Sequence, residues 1–149
     1  MKKLLLLIIL TVSTAAPGQE YRISFDTLTE KMQQEPRHIL IKIETVWCSI
    51  CKMQDKQIES DEELKDLLSS KVYFITFDAE TTETITFANN SYRFIPNAKG
   101  KGSHELATAL GCTDNAYPMW ILLSEGYEIK GTFKGFVKSD ALKEILQKL

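Results

Sequence analysis

The chain has 149 residues, with 18 basic and 20 acidic side chains, two histidines and three cysteines. That length suits one domain with its own core and leaves little room for a second. A formal net charge of −2 supplies no basic stripe for nucleic acid and no polybasic patch for a membrane surface.

The chain opens on Met1-Lys2-Lys3 and an apolar run from Leu4 to Leu10, the positive start and short greasy core of a secretory leader. Thr11 to Ala16 supplies small residues for cleavage after Ala16, or as far as Gly18. The run is short of the roughly 20 residues that span a bilayer, and no cysteine follows it to carry a lipid. Residues 1–16 are therefore expected to be removed, leaving an exported periplasmic or extracellular chain with no stable membrane insertion. The competing reading is an uncleaved N-terminal anchor. Cleavage takes Lys2 and Lys3 and keeps all 20 acidic side chains, so the exported form is the more acidic one.

One domain is expected over residues 20–149. Tyr21 to Ser24 leads in, and Asp26 to Gln34 reads as a helix with Asp26 placed to cap it and Leu28 and Met32 on one face. Pro36 stops it. Ile39 to Thr45 reads as a strand, with Ile39, Ile41 and Ile43 on one face and Leu40, Lys42 and Glu44 on the other. From Lys52 to about Ser60 a helix is expected, with Met53 and Ile58 inward. Ser60 and Glu63 have capping-box spacing ahead of a helix carrying Leu64, Leu67 and Leu68. Lys71 to Asp78 is a buried strand, rich in aromatic and β-branched residues.

Thr84–Phe87 and Ser91–Phe94 flank Ala88-Asn89-Asn90 as a β-hairpin. Pro96 to Gly102 reads as a loop, and Ser103 to Gly111 as a helix with Ser103 as its cap. Pro118 to Leu123 and Tyr127 to Phe133 form a strand pair about Ser124-Glu125-Gly126. Asp140 to Leu149 closes the chain as an amphipathic helix, with Leu142, Ile145, Leu146 and Leu149 inward. This order implies an α/β domain whose central mixed β-sheet is flanked by helices, the two early strands being parallel and the late pair antiparallel.

The chemistry is concentrated in Trp47-Cys48-Ser49-Ile50-Cys51-Lys52, at the junction of the first strand with the helix that follows. At a helix N-terminus, unpaired N–H groups and the macrodipole favour a thiolate. A second cysteine nearly one turn on is close enough to attack a mixed disulfide made by the first. Strand before and helix after is the context in which C-x-x-C reads as a redox device. Cys112 is the third cysteine, and three do not make a disulfide framework; its bland reading is a small buried hydrophobe. His38 and His104 have no metal-motif spacing with the cysteines and read as surface residues.

Three motifs in order give a resemblance. Trp47 to Lys52 looks like the active-site motif of the thioredoxin superfamily, Tyr117-Pro118 at the start of a strand is similar to its cis-proline element, and Gly135 to Leu146 is similar to its glycine turn and last helix. The match covers about residues 20–149. It implies a thioredoxin-like fold and a thiol–disulfide oxidoreductase that needs no organic cofactor and no metal. It further implies that Cys48 is the exposed nucleophile, Cys51 the buried resolving thiol and their disulfide the redox-active one. Trp47, Ile50, Tyr117, Pro118 and Gly135 would form the surface that meets substrate. The implied partners are disulfide-containing or thiol proteins and a membrane electron donor, with the protein itself a monomer.

Departures from the family pattern matter. Ser49-Ile50 between the cysteines does not declare the direction of electron flow; the absence of histidine there tilts the reading toward a reductase or isomerase. Lys42 stands six residues before Cys48, where thioredoxins often keep a buried acid that moves protons for the resolving thiol. Glu44, on the same strand face, is placed either to take over that role or to make an ion pair with Lys42 of little consequence. Between Asp78 and Pro118 the chain exceeds the family pattern by roughly 20 residues, an insertion expected at about residues 80–102, similar to those of secreted bacterial thioredoxin-like proteins. It reads either as a lid or partner surface or as decoration of the sheet edge. Two other functions compete: a soft-metal handler holding copper on Cys48 and Cys51, and a redox-inert binding module.

Overall fold

The computed structural model describes residues 20–149, so the secretory-leader reading lies outside the described residues. The elements in chain order are α1 (Phe25–Gln34), β1 (His38–Glu44), α2 (Ser49–Glu59), α3 (Glu62–Lys71), β2 (Val72–Asp78), β3 (Ile85–Phe87) and β4 (Asn90–Tyr92). They continue with β5 (Phe94–Pro96), β6 (Gly102–His104), α4 (Glu105–Ala109), β7 (Met119–Leu123), β8 (Ile129–Lys134) and α5 (Ser139–Gln147).

Four strands form a mixed sheet in the order β2-β1-β7-β8. β1 runs parallel to β2, with Ile39 opposite Tyr73 and Glu44 opposite Asp78. β7 is antiparallel to both its neighbours, with Ile43 opposite Met119 and Trp120 opposite Phe133. Alternation along each strand sends successive side chains to opposite faces, and both faces are covered. On one, Ile39, Ile41, Ile43, Ile75, Phe77 and Ile121 meet Leu28 and Met32 of α1 and Leu106 and Ala107 of α4. On the other, Leu40, Phe74 and Trp120 meet Ile58 of α2, Leu64 and Leu68 of α3, and Leu142 and Leu146 of α5. Full burial of each such side chain is worth about 1.5–3 kcal/mol, so the sheet is held from both sides.

Several local expectations are corrected. α1 starts at Phe25 behind Ser24, not at an Asp26 cap, and no side chain caps it. Asp61, not Ser60, caps α3, its carboxylate accepting from the Leu64 N–H at 3.0 Å. α2 begins at Ser49, earlier than expected, and its buried residues are Cys51, Gln54 and Ile58. Met53 is 58% exposed. α5 ends at Gln147, and Leu149 is exposed.

The stretch between β2 and α4 holds two hairpins where one was expected. The first turns through Ala88 and Asn89, both at positive φ (49° and 63°), as a two-residue hairpin loop requires. Its Ile85 and Phe87 are buried in the core beside α1, and the Phe87 ring packs edge-on against Phe25 and Tyr127. This hairpin covers one face of the sheet. The second, read from sequence as a Pro96–Gly102 loop, pairs Phe94 with His104 and Pro96 with Gly102. A Cβ on Gly102 would collide with the Ile95 carbonyl oxygen, so only glycine lets these strands approach. The root of this hairpin is fixed at the end of β1: Ala79 N–H donates to the Glu44 carbonyl and His104 N–H to the Ala79 carbonyl, each at 2.8 Å.

His104 is fully buried, contrary to its surface reading. Its Nδ1 accepts from the Leu106 N–H at 3.2 Å, capping α4 in place of the expected Ser103. Nε2 lies 2.9 Å from the Glu83 carbonyl. With Nδ1 accepting, Nε2 carries the proton and donates to that carbonyl.

Candidate active site

β1 ends at Glu44, and the chain turns so that Cys48 N–H donates to the Thr45 carbonyl at 3.1 Å before α2 begins. Cys48 is the N-cap residue of α2, and its Sγ accepts from the Cys51 N–H at 3.1 Å. The two sulfurs are bonded to each other, S–S 2.00 Å. Cys48, expected to be exposed, is itself buried at 6% exposure, the outer of the pair against 1% for Cys51. A sulfur aimed at the first turn of a helix is where a thiolate is stabilised by unpaired N–H groups and the dipole.

Two further segments are tied to one another and to α2. The Tyr117–Pro118 peptide bond is cis, and Pro118 is buried. Gly135, at φ +83°, donates its N–H to the Pro118 carbonyl at 2.7 Å and accepts from Trp120 Nε1 at 3.2 Å. Gln54, fully buried one turn beyond Cys51, donates to the Val137 carbonyl at 3.0 Å and accepts from the Val137 N–H at 2.8 Å. Helix α2, the proline loop and the glycine turn are thereby hydrogen-bonded into one frame.

Trp47 projects from this frame, 63% exposed. Its indole N–H donates to Glu80 at 3.0 Å and its ring meets Tyr117 edge-on at 5.9 Å. Ile50 is exposed as well, together with Val46, Phe136 and Met53, the last of which was expected to face inward. These five are most of the large apolar side chains exposed among the described residues. Val46, Trp47, Ile50 and Met53 each lie within two residues of a cysteine of the disulfide.

Lys42 is fully buried. Its ammonium pairs with Glu44 at 2.6 Å and with Asp55 of α2 at 2.5 Å. Asp55 Oδ1 also accepts from Arg22 Nη2 at 2.8 Å. The strand-end pair expected from sequence is therefore one edge of a four-residue cluster in which Lys42 is closed to solvent and the other three are partly exposed. Burial pushes the Glu44 carboxyl above the usual carboxylate range, against the opposing pull of Lys42. The Lys42–Asp55 contact ties this cluster to α2, the helix that carries Cys51. α2 runs back along β1, and from the Lys42–Asp55 contact two strand residues lead to Glu44, about 6.6 Å. Four helical residues lead back from Asp55 to Cys51, about 6 Å in the same direction. By these ideal rises Glu44 and Cys51 lie about equally far along their own elements from the Lys42–Asp55 contact.

Cys112 is buried and is the one free cysteine among the described residues. Burial pushes its thiol up, and the neighbouring Tyr117 hydroxyl opposes that shift. Burial likewise raises Tyr117 well above the usual phenol range. Among the described residues no three His, Cys, Asp or Glu side chains cluster as metal ligands, and no helix is long and apolar enough to cross a membrane.

A model of the thioredoxin-like domain matches residues 25–149. No curated protein matches the chain. Among solved structures, a thioredoxin-fold protein from Helicobacter pylori superposes with TM-score 0.59 at 15% identity, covering 75% of this chain and 68% of its own. A disulphide isomerase from Xylella fastidiosa Temecula1 gives 0.55 at 14%, with 91% and 98% covered. The reduced DsbD C-terminal domain from Neisseria meningitidis gives 0.52 at 17%, with 84% and 96% covered. At these identities the structures speak for the fold, the family match extends over nearly all of the described chain, and the chain belongs to the thioredoxin-like domain family.

Proposed function

We propose that this protein is an exported thiol–disulfide oxidoreductase that reduces or isomerises disulfides in extracytoplasmic proteins. The observation that carries the reading is the Cys48–Cys51 disulfide at the start of α2 within a thioredoxin-like fold. In the reduced protein, the Cys48 thiolate attacks a substrate disulfide. One substrate thiolate leaves and takes up a proton, and a mixed disulfide forms. The Cys51 thiol gives its proton to Glu44, and its sulfur attacks Cys48 Sγ. The second substrate thiolate then leaves, two electrons have passed to the substrate, and Cys48–Cys51 is oxidised. Lys42 pairs with Glu44 and holds it in place.

Substrate lies across Trp47, Ile50, Tyr117, Pro118 and Gly135, with Val46, Met53 and Phe136 extending the apolar floor. The backbone at Tyr117 pairs with an extended substrate segment. Continued turnover outside the cytoplasm draws electrons from a membrane donor, and the protein acts as a monomer after residues 1–16 are removed. Thiol proteins as partners suit the company of a disulphide isomerase and a DsbD domain among structures of this fold.

The test is the equilibrium reduction potential of Cys48–Cys51 in graded dithiol buffers, with free thiols trapped. A value near about −270 mV supports a reductase, whereas one near about −120 mV makes the protein an oxidant. If no exchange occurs at any poise, the enzyme reading fails, and copper titration with and without thiol blocking then separates a metal carrier from a redox-inert binding module.

A further inference from the structure

Arg22 and Asp55 complete the charged cluster around Lys42 and Glu44. Arg22 comes from the segment ahead of α1, which lies along β2: Ile23 N–H donates to the Phe74 carbonyl at 2.9 Å. Asp55 comes from α2. Both meet at a single oxygen, Asp55 Oδ1, which accepts from Arg22 at 2.8 Å and from Lys42 at 2.5 Å. Lys42 divides its charge between Asp55 and Glu44. The other charges near Glu44 are Asp78, its register partner on β2, and, at 4.0 Å from Arg22, Glu59. On the β7 side Met119, opposite Ile43, and Trp120, opposite Lys42, carry no charge.

We propose that Arg22 and Asp55 are positioning residues that set the proton affinity of Glu44 in opposite directions, acting through Lys42. This rests on the oxidoreductase reading above, in which Glu44 accepts the Cys51 proton. Asp55 draws Lys42 away from Glu44, so a carboxylate there keeps Glu44 basic enough to accept. Arg22 satisfies Asp55 and releases Lys42 toward Glu44, so the guanidinium makes Glu44 more acidic. The burial of Lys42 makes this coupling strong, because charges removed from water interact with little screening. The segment ahead of α1 thereby tunes a step on the far side of the sheet edge to which it is bound.

The experiment uses the mature chain and the near-isosteric variants Asp55→Asn and Arg22→Gln, with Arg22→Lys as the charge-preserving control. Glu44 ionisation is followed by carboxyl 13C NMR in the oxidised protein, and disulfide turnover is followed against pH. Asp55→Asn should move the Glu44 titration down and Arg22→Gln should move it up, each by about one pH unit, with Arg22→Lys close to the parent. The pH profile of turnover should move the same way as the titration. Shifts of the same sign in both variants, or no shift, would overturn the coupling. A titration that moves while the turnover profile stands still would overturn the link to Cys51. Should the parent protein show no turnover at all, the oxidoreductase reading fails, and the NMR titration still decides whether Arg22 and Asp55 oppose each other at Glu44.

Discussion

The Cys51 backbone N–H donates to Cys48 Sγ at 3.1 Å, so the outer sulfur caps its own helix. A side-chain oxygen commonly does this at an N-cap; here the acceptor is a sulfur of the disulfide. In the reduced protein, Cys48 should therefore react with iodoacetamide at pH 6 at least about a hundredfold faster than buried Cys112, whose thiol is pushed up. Peptide mass mapping after brief labelling reads the order directly. Cys48→Ser should abolish turnover, whereas Cys51→Ser should accumulate mixed disulfides that survive non-reducing gels. Equal residual activity in the two variants would contradict the assigned roles.

Glu80 should matter for protein substrates and not for small ones. Its carboxylate holds the exposed Trp47 indole at 3.0 Å, and the indole walls the apolar floor. Removing that hydrogen bond in Glu80→Ala should raise KM for a protein disulfide about three- to tenfold, the range expected for one hydrogen bond. Turnover of a small disulfide such as oxidised glutathione should stay unchanged. Parallel steady-state kinetics on both substrates make the comparison.

Asp61 offers a pH-dependent test of stability. The Leu64 N–H, with help from Lys143, holds its carboxyl below the usual range. A depressed folded value means that the contribution is complete above the unfolded value, about 3.9, and is lost as pH falls through the lower folded one. Asp61→Ala should cost about 1 kcal/mol at pH 7 and almost nothing at pH 2. Urea unfolding at the two pH values measures the difference.

His104 ties the second hairpin to α4. Its removal in His104→Ala strands the Glu83 carbonyl and the Leu106 N–H and opens a cavity beside Phe77, whose ring packs edge-on at 5.3 Å. A loss of about 2–4 kcal/mol is expected. His104→Asn, which keeps an acceptor for Leu106, should recover part of it. Chemical denaturation of both variants provides the measurement.

Hydrophobic period and turn chemistry made most of the fold legible. The alternation of Ile39, Ile41 and Ile43 predicted a strand with one apolar face, and Asp140 onward predicted the last helix; the burial of Lys42 on the other face was not legible. What sequence pattern misplaced were buried polar residues. Gln54 looks like a solvent position, and Met53 beside it like a core one. Yet Gln54 is buried because it closes two hydrogen bonds with Val137, and Met53 faces solvent on the apolar patch. His104 was misread for the same reason: both ring nitrogens find backbone partners, an arrangement made by residues 83 and 106 and absent from local periodicity. At the site, the cysteines and the proline announced themselves by motif. Asp55 and Arg22 did not, because their shared oxygen exists only once α2 and the leading segment have packed together.

Trp120 is stacked between Phe74 at 6.2 Å and Phe133 at 5.7 Å and is closed to solvent, whereas Trp47 stands in water next to the disulfide. The two indoles are the only ones in the chain, and they occupy optically distinct surroundings. Acrylamide will quench one and spare the other, and each single Trp→Phe variant isolates the remaining emission. One fluorophore then reports the integrity of the sheet while the other reports the redox state and occupancy of the apolar floor, so folding and exchange can be followed separately in the same cuvette without a label.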